Sequence, residues 1–497
     1  MILMLPILAA AIAIDDPRCT SLASLALPDT AITSARWVAP GPFTPPAGPA
    51  VAPNAPPPEP IALPAHCRVA AVARPSSDSH IEIEVWLPAA DWNGKFQAVG
   101  NGGWAGAFNY AGMALALREG YATASTDTGH KGANALFAIG HPEKLIDFGY
   151  RAVHELAVKA KAIIAAYFRR APRVSYWNGC STGGRQGLMS AQRYPEDFDA
   201  IIAGAPANYQ THLQASGLAR ALPGLLDQSR IVPAAKLALV NRAVLDACDA
   251  RDGVKDGLLN NPRACTFDVS VLQCRGAESE TCLTAAQVAS VKANYEAVRL
   301  PSGEDVFPGK DPGSEIAWTA LTTGRVVGPA PGAFQIVHGD PNWDPRTFDL
   351  ERDLRLADEK VGAITNAINP DLRAFKARGG KLLLYHGWND GMISAGNTIN
   401  YYNSVLERMG PDQRNWLRLF MVPGMGHCRG GAGPNQIQWL AALERWHESG
   451  KPPDRIDAVR VVDGRVDMTR PLCPYPLLAA YTGVGTTNDA TNFTCRR

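Results

Sequence analysis

The chain has 497 residues, with 48 basic against 47 acidic side chains and a formal net charge of +1. An apolar content of 46% and a charged content of 19% are those of a globular protein long enough for a large core plus an inserted unit. The balanced charge leaves no basic footprint for nucleic acid and no field to steer a highly charged substrate.

The first residues form a short apolar run that ends in an Ala-x-Ala-like site at Ala11-Ile12-Ala13. This is the pattern of a signal peptide cut near Ala13, too short to span a membrane. No later segment has the apolar length of a membrane span. Residues 39–64 are rich in Pro and Ala and read as an extended, polyproline-like segment ahead of the main fold. Period-2 alternation marks a strand at 80–88, and a second follows at 95–99. A glycine-rich loop covers 100–106. Residues 121–126 read as a strand and 150–168 as a helix. A strand at 174–177 runs straight into Asn178-Gly179-Cys180-Ser181-Thr182-Gly183-Gly184. Residues 184–193 have helix-forming character, closed by Pro195. Between about 206 and 370 the pattern breaks into short helical pieces, Asp-Gly turns and four cysteines. It resumes with strands at 381–385 and 416–422 and a helical spacing at 438–446. Alternating strand and helix predicts an α/β protein with a mostly parallel sheet. The expected organisation is a signal at 1–13, a catalytic core at 14–205 and 370–497, and a lid inserted at 206–369.

Ser181 lies in a G-x-S-x-G pattern, with a strand before it and a helix after it, the context of a nucleophile elbow. A neutral hydroxyl needs a base within hydrogen-bond reach and a carboxylate to orient that base. Ser181, Asp390 and His427 occur in the order Ser, Asp, His, which is the α/β-hydrolase order. Each follows a predicted strand, at the carboxyl end of the sheet. The backbone N–H of Thr182 is the natural first oxyanion donor, and the early loop supplies the second, at Gly103 with Gly102 close behind. Asp127 also follows a strand but precedes Ser181, against that order, and reads as a structural turn. His386 reads as structural. His66, His130 and His338 read as surface or packing histidines.

Ten cysteines and an export signal predict five disulfides in an oxidising compartment, either secreted or periplasmic. Cys180 adjoins Ser181 and Cys428 adjoins His427. If nucleophile and base meet, a Cys180–Cys428 bridge pins them together across about 250 residues, worth at most about 5 kcal/mol of loop entropy. Cys19 and Cys67 flank the Pro-rich segment, Cys248 and Cys265 bracket an acidic loop, and Cys274 with Cys282 is a local option. No C-x-x-C occurs. Asp249, Asp252 and Asp256 recur three and four residues apart, with Gly253 and Gly257 for tight turns. With the carbonyls of Val254 and Leu258 they offer five or more hard oxygens for calcium, though not with EF-hand spacing. The competing reading is a solvated Asp-Gly turn.

Four blocks resemble the tannase and feruloyl esterase family. They are Trp92-Asn93-Gly94-Lys95-Phe96 through Gly100-Asn101-Gly102-Gly103; Gly179 through Arg185; the loop from Asp249 to Leu258; and Pro423-Gly424-Met425-Gly426-His427-Cys428. Pro471-Leu472-Cys473-Pro474-Tyr475-Pro476 adds a fifth. The resemblance implies an α/β-hydrolase core with a large lid and a Ser181, Asp390, His427 triad. It implies a structural calcium on Asp249, Asp252, Val254, Asp256 and Leu258, and no organic cofactor. It also implies the pairings Cys19–Cys67, Cys180–Cys428, Cys248–Cys265, Cys274–Cys282 and Cys473–Cys495. The implied substrates are small aromatic esters, feruloyl-type first and galloyl second. The family also holds a terephthalate-monoester hydrolase that grips its substrate with a lid arginine. No equivalent can be placed here, since Arg346 pairs more naturally with nearby acids. Two rivals stand outside this chemistry. A secreted binding protein on a dead hydrolase scaffold would not label with a fluorophosphonate. A metallohydrolase would lose activity on chelation while keeping its fold.

Overall fold

The computed structural model describes residues 16–46, 59–322 and 329–497. The expected signal at 1–13 lies outside them. Nine strands form the main sheet: β1 (Thr30–Val38), β2 (His66–Ala73), β3 (Ile81–Pro88), β4 (Lys95–Val99), β5 (Ala122–Thr126), β6 (Val174–Cys180), β7 (Ala200–Gly204), β8 (Lys381–Gly387) and β9 (Leu417–Val422). Their spatial order is β1-β2-β3-β5-β4-β6-β7-β8-β9. The β1, β2, β3 and β5 contacts are antiparallel, and every contact from β5 to β9 is parallel. The sheet is therefore mixed, with a parallel half that carries the site.

Burial explains the strand patterns. Residues of β7 and β9 are buried throughout, so β7 reads as a continuous apolar run and β9 as one interrupted only by Arg418. Helix α1 (Ala152–Phe168) lays Leu156, Ala160, Ile163 and Ile164 into the main core. Helix α2 (Thr182–Arg193) starts directly after Ser181, two residues earlier than expected, because the elbow turns without a linker. Between β7 and β8 the chain leaves the sheet for a mainly helical insertion. This includes α3 (Gln210–Leu226) and α4 (Ala234–Cys248), and it builds two apolar clusters of its own. Helix α5 (Ala395–Met409) follows β8.

The Pro-rich segment differs from the expectation. Its ends, Gly41–Phe43 and Ile61–Leu63, pair as antiparallel strands, and Phe43 packs edge-on against Trp86. Apolar contact with the core outcompetes the solvated polyproline form there. No described helix is long and apolar enough to cross a membrane.

Candidate active site

Strand β6 ends at Cys180, and Ser181 takes φ 64° and ψ −122° before α2 begins. A non-glycine residue in this region is strained, and the fold must hold it there. Three backbone bonds do so: Ser181 N–H donates to Gly204 O at 2.9 Å, and Ser181 C=O accepts from Arg185 N–H at 3.0 Å and Ala207 N–H at 3.1 Å. The glycines of the elbow are steric requirements. A Cβ at Gly179 would lie 2.4 Å from the Gly183 carbonyl oxygen, and one at Gly184 would lie 2.4 Å from Gly204 O. Gly179→Ala is expected to cost about 1–3 kcal/mol of overpacking and to lower turnover. An unchanged thermal midpoint with parental kcat would contradict that.

Asp390 sits in the turn after β8 and His427 in the loop after β9. His427 Nδ1 lies 2.7 Å from Asp390 Oδ2. Asp390 Oδ1 accepts from the N–H groups of Met392 at 2.8 Å and Ile393 at 2.9 Å. Burial alone would raise the Asp390 carboxyl, but His427 and His386 beside it hold it far below the usual range. The Cys180–Cys428 disulfide joins the residue before Ser181 to the residue after His427, with Cα atoms 6.0 Å apart. Ser181 Oγ forms no hydrogen bond to His427 here. The disulfide brings the two into one neighbourhood, and a hydrogen bond of this kind often tightens only when substrate is bound. Four further disulfides are Cys19–Cys67, Cys248–Cys265, Cys274–Cys282 and Cys473–Cys495.

Gly103, at φ 54°, and Thr182 line the same cavity as Ser181. Thr182 opens α2, so its N–H is one of the donors the helix cannot use. The Thr182 hydroxyl donates to Gly103 O at 2.9 Å and Gly183 N–H to Asn101 O at 2.8 Å, which fixes loop to elbow. The sequence assigns no role to Asn101, which it shows only within a family-like block, or to Gln186. Gln186 accepts from Asn101 N–H at 3.1 Å and donates to Asn101 Oδ1 at 3.0 Å. Nothing in a separation of 85 residues signals this reciprocal clasp.

The cavity has a volume of about 350 Å³. Gln210, Gln214 and Gly217 of α3 form one wall, with Lys310, Trp318 and Ile393 on others. Gln210 Oε1 is buried without a partner among the described residues. Lys310 Nζ donates to Met392 O at 2.9 Å. Burial pushes the Lys310 ammonium down to about 7, against the pull of Asp390 and Asp311.

His386, expected to be structural, is in contact with Asp390: its Nε2 lies 3.1 Å from Oδ2. Asp127 caps a turn, accepting from Glu82 N–H and Gly129 N–H, each at 2.9 Å. His66 and His130 are buried, and His338 stacks on Trp343. Arg346 pairs with Asp344 at 2.7 Å, away from the cavity lining.

The acidic loop folds on itself. Asp249 accepts from Gly257 N–H at 2.9 Å, Asp252 from Val254 and Asn260 N–H at 3.1 Å each, and Asp256 from Leu258 N–H at 3.1 Å. Arg470 pairs with Asp256, whereas Asp249 and Asp252 have no ion pair among the described residues. Burial raises the Asp252 carboxyl, and the Asp256 and Asp249 carboxylates add to the rise. The three carboxylates are not drawn within 4.8 Å of one another, as His154, Glu196 and Asp197 are. In that second group His154 Nδ1 pairs with Asp197 at 3.1 Å and the ring stacks on Tyr194, an ion pair complete in itself.

The family model for tannase and feruloyl esterase matches residues 67–496. The chain belongs to the tannase and feruloyl esterase family. It is 38% identical to an uncharacterized esterase of Xanthomonas campestris pv. campestris, over 96% of this chain and 91% of that one. It is 32% identical to feruloyl esterase B of Aspergillus niger, over 86% of each. The crystal structure of feruloyl esterase B from Aspergillus oryzae superposes with a TM-score of 0.90 at 31% identity, covering 96% of this chain and 99% of that one. Tannin acyl hydrolase from Aspergillus niger shares the fold, with a TM-score of 0.78 at 23% identity, covering 97% and 94% of the two chains. As a tannase and feruloyl esterase family member, the chain has an α/β-hydrolase core and is an ester hydrolase.

Proposed function

We propose that the chain is an exported serine carboxylesterase that hydrolyses small aromatic acid esters of the feruloyl type. One observation carries this reading. A strained serine on a strand-to-helix turn is tied by a disulfide to a histidine that is hydrogen-bonded to a buried carboxylate.

Ser181 Oγ attacks the ester carbonyl as His427 Nε2 takes its proton. Asp390 holds the Nδ1–H tautomer and stabilises the imidazolium. The N–H groups of Thr182 and Gly103 receive the oxyanion. His427 then gives its proton to the leaving alcohol, and water repeats the sequence on the acyl-enzyme. The cavity accepts the acyl group. Its apolar lining suits an aromatic ring, and Gln210, Gln214 and Lys310 offer partners for ring oxygens. Five disulfides favour an oxidising compartment.

The test is hydrolysis of methyl ferulate, methyl caffeate, a galloyl ester and the terephthalate monoester. Turnover is expected for the hydroxycinnamates. Activity on the galloyl ester alone would make the chain a tannase. Activity on the terephthalate monoester alone would refute the feruloyl reading.

The acidic loop is proposed to hold a structural calcium on Asp249, Asp252, Asp256 and the carbonyls of Val254 and Leu258. The donor set is all hard oxygen, and a dication offsets both the burial and the carboxylate repulsion that raise Asp252. When bound, calcium supplies loop rigidity and no chemistry. Because the ion binds the folded form, removing it must destabilise. At a hundredfold excess over Kd the ion is worth about 2.7 kcal/mol. A lowered thermal midpoint in chelator, restored by calcium, is expected. An unmoved midpoint in protein that carries no calcium by elemental analysis would sink the assignment.

A further inference from the structure

His386 occupies the sixth position of β8 and is fully buried. Its Nε2 lies 3.1 Å from Asp390 Oδ2 and 3.1 Å from Ile393 O. Both neighbours are pure acceptors, so Nε2 carries the proton. Nδ1 lies 2.7 Å from Thr398 Oγ1, within hydrogen-bond distance. Every polar atom of the ring is thus used. Asp390 in turn accepts four hydrogen bonds: two backbone N–H groups on Oδ1, and two imidazole N–H groups on Oδ2.

We propose that His386 is a positioning residue of the active site, holding Asp390 Oδ2 in line with His427 and sharing the carboxylate's charge. The proposal rests on the reading of Asp390 and His427 as acid and base. Two backbone amides anchor Oδ1. Without His386, the only partner of Oδ2 among the described residues would be the imidazole whose protonation changes in every turnover. A second donor removes that freedom. It also draws charge from the oxygen that polarises His427, which moderates the basicity of the catalytic imidazole. The other charged groups facing this centre are Lys310, bonded to Met392 O at 2.9 Å, and Asp311, paired with Arg263 at 3.2 Å. Neither touches His386 by hydrogen bond, and both stay in place in the variants below.

The test contrasts two amides of different reach. In His386→Gln the side-chain nitrogen reaches the place of Nε2 and keeps a donor on Asp390. In His386→Asn it reaches only the place of Nδ1 and leaves Asp390 short of one donor. The readout is the pH profile of kcat and kcat/KM on p-nitrophenyl acetate, an activated ester that does not depend on acyl specificity. His386→Gln is expected within about threefold of the parent, with its acidic limb unmoved. His386→Asn is expected to lose about 10- to 100-fold in kcat with KM nearly constant. Its acidic limb should move up by about half a pH unit, because the less-shared carboxylate charge favours the protonated base. Equal damage in both variants with an unmoved limb would mean that His386 only packs. Parental kinetics in His386→Asn would overturn the proposal outright. Should His386→Asn fail to fold, the downfield proton spectrum decides. The parent should show two carboxylate-bound imidazole N–H protons and His386→Gln one, whereas a single such proton in the parent would refute the arrangement. A parent inactive on the activated ester overturns the esterase reading, and the positioning role with it.

Discussion

Ser181→Ala is expected to lower kcat on methyl ferulate by about a millionfold while leaving the fold intact. The loss is large because no other group can take over. The proposed oxyanion donors, the N–H groups of Thr182 and Gly103, are backbone and survive the substitution, so they would sustain only the small rate that binding and electrostatics give over water. The fold should survive because the bonds that hold the elbow are backbone bonds. Ser181 N–H still meets Gly204 O, and Ser181 C=O still meets Arg185 N–H. Circular dichroism and the thermal midpoint should therefore match the parent. A Ser181→Ala protein within tenfold of parental kcat would mean that the nucleophile lies elsewhere.

The second large effect belongs to the Cys180–Cys428 bridge. Its two cysteines are 248 residues apart, so the bridge removes much of the unfolded chain's freedom, worth about 5 kcal/mol at most. It also acts locally. Cys428 takes φ 64°, another strained non-glycine position, directly beside His427. Freed from the bridge, that backbone can relax and carry the imidazole with it. A shift of about 1 Å in a catalytic group can cost about a hundredfold in rate. The double variant Cys180→Ala with Cys428→Ala should thus show both a lower denaturant midpoint and a lower kcat far below its melting temperature. The double variant avoids leaving a lone thiol to mispair. Unchanged kcat with a lowered midpoint would reduce the bridge to a stabiliser. No change in either would remove it from the account of the site.

Much of this was legible before folding, for identifiable reasons. Strands β8 and β9 are almost wholly buried in the parallel half of the sheet, so their largely apolar stretches stand out against the polar loops, and β6 is buried from Val174 to Trp177. The elbow is legible because its glycines are forced by backbone contacts of 2.4 Å, leaving few other residues able to make the turn. Local patterns fail where contacts are distant. The ends of the Pro-rich segment pair with each other because Phe43 finds Trp86, a partner in another strand. The Asn101–Gln186 clasp joins loop to helix with no periodicity to mark it. His386 lies four residues from Asp390, but a strand and a turn separate them, so no helical rule pairs them. The acyl cavity depends on where α3 of the insertion comes to rest over Ser181, and side-chain spacing within α3 says nothing of that.

The most direct test of the central claim is to treat the folded protein with a fluorophosphonate and map the adduct by peptide mass spectrometry. A single adduct on Ser181, lost when His427 is replaced by Ala, is the expected result. Ester hydrolysis that persists with Ser181 unmodified would contradict the assignment of Ser181 and His427 as nucleophile and base.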